Sequence, residues 1–102
     1  MRAVGLLVAL AACQEAPATC DPGTTWEGFS QGFFIEYCQG CHARSAPDRF
    51  GAPDDVVFDA EDDVATWRDR ALARLEADTM PPGGGVPSGD RARILAWLAC
   101  GE

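Results

Sequence analysis

A chain of 102 residues, 47% of them hydrophobic, is the size of one small domain, and no shift of composition divides it. Eight arginines, no lysine and 16 acidic residues give a formal charge of −8, which makes nucleic acid a poor partner and a basic protein surface an easier one; an acidic surface that only keeps the chain in solution is the alternative. So short a chain buries a modest share of its surface, and its 11 glycines and 7 prolines imply long irregular segments that something else must hold down.

Residues 1–12 read as an export signal: Arg2, then the apolar run Ala3 to Ala12, too short to span a bilayer as a mature helix. Leu10-Ala11-Ala12-Cys13 resembles a bacterial lipobox, which implies cleavage before Cys13 and acylation of its sulfur. Soluble export and a misplaced start codon are the alternatives. Gln14 in place of Asp resembles lipoproteins sent on to the outer membrane, so the expected location is the periplasmic side of the cell envelope, lipid-anchored there. Residues 13–23, with their Pro and Ala, read as a tether, and residues 24–102 as the folded domain.

Thr24 and Glu27 form a capping-box pattern that opens a helix over 24–37, with Trp26, Phe29, Phe33, Phe34 and Tyr37 as a broad aromatic face. It runs into Cys38-Gln39-Gly40-Cys41-His42. Each thiol of such a pair adds across one haem vinyl group, and the two-residue spacer matches the separation of the vinyls, leaving His42 beneath the iron; the cofactor expected is one covalently bound haem c. A redox pair would want a βαβ setting. A structural zinc site would want four ligands, and the chain has one histidine. A plain Cys38–Cys41 disulfide would leave His42 idle. Cys20 and Cys100 remain as a pair flanking the domain, expected to form a disulfide worth about 4 kcal/mol in the chain-entropy model; two free thiols are the alternative in a less oxidising compartment.

From Ala43 to Phe58 no period holds, and Pro47, Gly51 and Pro53 break the segment into a wrapped loop. Its cations, Arg44 and Arg49, are candidates to pair with haem propionates; solvated surface is the alternative for each. A second helix starts on Asp59, Glu61, Asp62 and Asp63 and continues through Val64, Trp67, Ala71 and Leu75. That run of carboxylates is read as helix-start chemistry rather than a calcium site. The helix should fail near Asp78, because Met80 precedes Pro81. Gly83 to Gly85 make the next stretch flexible, Ser88 can cap a last helix, and Ile94, Leu95, Trp97 and Leu98 give it an apolar face. The class is all-α.

Elimination points to the sixth iron position. His42 is the only histidine, there is no lysine, and once the signal is removed Met80 is the only methionine; core filler is the alternative use of such a residue. A His42/Met80 pair raises the reduction potential and leaves no open coordination position, so electron transfer is expected and catalysis is not.

Taken together, Thr24 to Cys100 resembles a class I monohaem cytochrome c of the short bacterial kind. The resemblance implies a small cytochrome c fold, three main helices and long loops wrapped around one covalent haem. It implies an amino-terminal helix (Thr24–Tyr37), a loop carrying the Met ligand (Met80–Gly85) and a carboxy-terminal helix (Ser88–Ala99) that crosses the first. Ser30 and Phe34 match the family's crossing positions, where the small residue is usually glycine, and Ile94, Trp97 and Leu98 match the other side. Arg49-Phe50-Gly51-Ala52-Pro53 resembles a segment in which the proline lies near the proximal histidine, so Pro53 joins the expected site. The implied function is a cell-envelope electron carrier serving redox partner proteins. A small peroxidase-like haem enzyme, or a haem subunit of a larger oxidoreductase, is the alternative.

Overall fold

A computed structural model of the chain describes residues 19–100. The expected signal over 1–12 and the acylated Cys13 lie outside the described residues. Among the described residues there is helix and loop but no strand, and the class is all-α.

The first helix opens one residue later than the pattern predicts. Thr25, in extended backbone, is the cap, and its side chain accepts from Gly28 N–H at 2.9 Å. Thr24 is instead buried, with its hydroxyl donating to Asp21 at 3.2 Å, so it faces inward and does not cap. A π-helical turn, Trp26–Ser30, comes next, with Ser30 N–H reaching the Thr25 carbonyl, before α1 (Gln31–Tyr37) continues in ordinary register. The extra residue in that turn rotates the aromatic stripe so that Ser30, Phe33 and Phe34 are buried while Phe29 is only half-buried.

Cys38 leaves helical geometry and its carbonyl then accepts from Cys41 and His42 N–H at 3.2 and 2.9 Å, closing the single turn α2 (Gln39–His42). Two bonds tie this turn to Phe58: Gln39 Nε2 donates to the Phe58 carbonyl at 3.0 Å, and Phe58 N–H donates to the His42 carbonyl at 2.8 Å. The segment between them is the wrapped loop that the prolines and glycine announce, turning through Phe50 (φ 51°) and Gly51 (φ 88°).

α3 (Glu61–Glu76) begins with three acidic residues at the positive end of its dipole, and Asp63 accepts from Ala60 N–H at 3.0 Å. It stops through a Schellman arrangement rather than through Pro81: Asp78 sits in left-handed backbone (φ 58°), its N–H reaches the Leu75 carbonyl, and Thr79 N–H reaches the Arg74 carbonyl at 2.9 Å. Arg91 secures the same end from the next helix, α4 (Ser88–Cys100), donating to the Leu75 carbonyl through Nε (3.0 Å) and Nη2 (2.6 Å) and to the Glu76 carbonyl at 2.7 Å. Ser88 is already helical, and the Pro87 carbonyl takes the first bond, from Arg91 N–H.

Phe33, Phe34, Phe58, Val64, Leu75, Ile94 and Leu98 form the core. Trp97 of α4 joins it to the amino-terminal segment, with ring centroids 5.8 Å from Trp26 and 6.4 Å from Phe34. Ser30, expected where helices cross, is fully buried and its hydroxyl has no hydrogen-bond partner among the described residues. Cys20 and Cys100 are joined in a disulfide, which holds the start of the described chain to the end of α4.

Candidate functional site

Beside the core lies a cavity of about 370 Å³ whose wall includes Phe34, Phe58 and Leu75, so core and cavity share side chains. The α2 turn supplies Cys38, Cys41 and His42 to it; the loop after α3 supplies Met80, at 37% exposure, with Pro81 and Pro82. Among the described residues no three His, Cys, Asp or Glu side chains gather in a group that could hold a metal. What gathers on this cavity is a pair of thiols, one imidazole and one thioether.

The imidazole is oriented. His42 Nδ1 lies 2.8 Å from the Val56 carbonyl oxygen, which can only accept, so Nδ1 carries a proton and, in the neutral ring, Nε2 is the nitrogen with the lone pair. Phe58 meets the ring edge-on at 5.3 Å. Cys38 and Cys41 are not joined to each other. Burial, with a smaller addition from Cys41, pushes the Cys38 thiol up to about 12, which leaves it protonated and a poor redox nucleophile. The donor set, the tautomer and the largely apolar wall fit a covalently held haem, for which Cys38 and Cys41 would be the attachment points and His42 and Met80 the ligands.

The loop residues separate. Pro53 lines the cavity, but the carbonyl on His42 is Val56's. Arg49 also lines it, with its guanidinium turned into the loop: Nη1 donates to the Ala43 carbonyl at 2.8 Å, Nη2 to those of Pro53 (2.7 Å) and Val56 (3.0 Å), and Nε to that of Ala52 at 3.4 Å. Arg44 is not on the wall. It grips both carboxylate oxygens of Asp63 at 2.8 and 3.0 Å while its backbone N–H donates to Asp59, a bidentate pair that ties it to the start of α3. The pair holds the Asp63 carboxyl below its usual range, chiefly through the hydrogen bond from Arg44.

Two further cations stand on the cavity that the sequence pattern did not single out: Arg70 and Arg74, one helical turn apart on α3. Arg70 lies 5.6 Å from the Trp67 ring centre, a cation–π arrangement. Their spacing from Trp67 and Ala71 was the available signal, since all four share one face. No family model, no curated protein and no solved structure matches this chain.

Proposed function

We propose that this chain is a class I monohaem cytochrome c, an electron carrier of the cell envelope with His42 and Met80 as axial ligands. The observation that carries the reading is that Cys38, Cys41, His42 and Met80 border one largely apolar cavity, with His42 oriented by Val56 so that Nε2 is free. When bound, the haem supplies one-electron exchange between ferric and ferrous iron. The chain's part is to fix that group through Cys38 and Cys41, present His42 in one tautomer, offer Met80 from a loop anchored on α3, and exclude water with Phe34, Phe58 and Leu75. The Cys20–Cys100 disulfide supports exposure to an oxidising compartment, as an exported protein would have. Partners are redox proteins, and a signal over 1–12 with acylation at Cys13 would hold the carrier at a membrane on the periplasmic side.

Intact mass and spectrum test this together. We expect a haem that acid–acetone extraction cannot remove and, in the oxidised protein, the weak long-wavelength band of sulfur-ligated ferric haem. Met80→Ala should abolish that band, lower the potential and let carbon monoxide bind the reduced form. A Met80→Ala protein with an unchanged spectrum would remove Met80 from the iron, and a chain free of haem after expression with haem-attachment machinery would sink the reading.

A further inference from the structure

The Val56 carbonyl accepts from two donors: His42 Nδ1–H at 2.8 Å and Arg49 Nη2–H at 3.0 Å. One oxygen has two lone pairs, so both bonds fit, yet they compete. A cationic donor draws electron density from the oxygen, which then accepts less strongly from Nδ1–H. An imidazole whose Nδ1–H is strongly held is a more basic ligand and favours ferric iron; a weakly held one favours it less. The guanidinium is fixed in this position by the Ala43, Ala52 and Pro53 carbonyls, its side chain is 17% exposed, and its nearest carboxylate, Asp54, is 3.6 Å away and 99% exposed. Four of its five N–H groups are committed to carbonyls, which leaves one for any propionate.

We propose that Arg49 is a positioning residue that tunes the axial ligand, sharing the Val56 carbonyl with His42 and so holding the reduction potential up. The inference rests on the haem reading of the site. The holoprotein tests it through Arg49→Gln and Arg49→Lys. Arg49→Gln should shift the ferrous/ferric equilibrium toward ferric by on the order of tenfold, about 59 mV for one electron, and move the His42 Nδ1–H resonance of the ferrous protein downfield. Arg49→Lys keeps a cation at the carbonyl, so it should recover most of the potential while melting as early as Arg49→Gln, because an ammonium cannot span the same set of carbonyls. Equal potentials in Arg49→Gln and wild type overturn the proposal. So does a potential that falls equally in both variants in step with their melting temperatures, or one that changes only through its pH dependence, the mark of a propionate contact. Should neither variant fold, the wild-type ferrous protein decides: slowly exchanging Arg49 guanidinium protons support the shared carbonyl, and fast exchange overturns it. Intact mass separates the two kinds of failure, since a chain lacking haem defeats the functional reading, whereas haem-loaded Arg49→Gln at the wild-type potential defeats this proposal alone.

Discussion

Ser30 keeps a hydroxyl for which the described residues offer no partner. A buried, unsatisfied hydroxyl costs on the order of 1–3 kcal/mol, so Ser30→Ala, nearly isosteric, should raise stability by about 1 kcal/mol in chemical denaturation. A lower midpoint would mean that the hydroxyl is bonded after all. The Arg44–Asp63 pair makes a second residue-scale prediction. Asp63 titrates below its ordinary value of 3.8 when folded, so the stabilisation from the pair is complete above that value and disappears as pH falls through the folded one. Wild type should therefore melt above Arg44→Gln at neutral pH, and the gap should close in acid; a gap independent of pH would assign the effect to packing. That Cys38, Cys41 and His42 come together on one cavity is legible in the sequence, because they are neighbours on a single short turn. The arginines are not, because their partners are distant in sequence or carry no signature: Arg44 finds Asp63 across 19 residues, and Arg49 turns back on backbone carbonyls that any residue would offer.

At the scale of elements, helix ends are better explained by backbone geometry than by the prolines near them. The sequence places the end of α3 near Asp78 on account of Met80-Pro81, and α3 does end there, at Glu76, but through left-handed Asp78 and the two bonds that close the Schellman turn. The helical spacing of Val64, Trp67, Ala71 and Leu75 is readable as an apolar face; that Trp67 and Ala71 look into a cavity while Val64 enters the core is set by how α3 meets its neighbours, which spacing alone does not fix. Arg91 joins α3 to α4 at this end. Arg91→Ala would strip charged donors from the Leu75 and Glu76 carbonyls and should lower stability by about 1–3 kcal/mol. On the haem reading it should also weaken the long-wavelength band through a loosened Met80 loop. A variant that loses stability with the band intact would show the loop to be held by other contacts.

At the scale of the whole molecule, the core that the described residues form is small, seven side chains of which three also line the cavity, so the domain is closed by its disulfide and, on the haem reading, by its cofactor. Replacing Cys20 and Cys100 together by Ser should destabilise the protein by about 2–5 kcal/mol, measured as a shift in denaturant midpoint, and leave the spectrum in place; an unchanged midpoint would mean that the closed loop contributes nothing. The all-α class is readable from periodicity, whereas the shape of the cavity depends on the turns of residues 43–60, where no periodicity exists to read. The anchoring of the Met80 loop has a kinetic consequence. On the carrier reading, Met80 follows directly on Thr79 of the Schellman turn, so its backbone stays close to α3 when charge arrives or departs, although Gly83 to Gly85 leave the rest of the loop free to turn. On the carrier reading the reorganisation energy of exchange therefore stays small, and electron transfer can be fast at modest driving force.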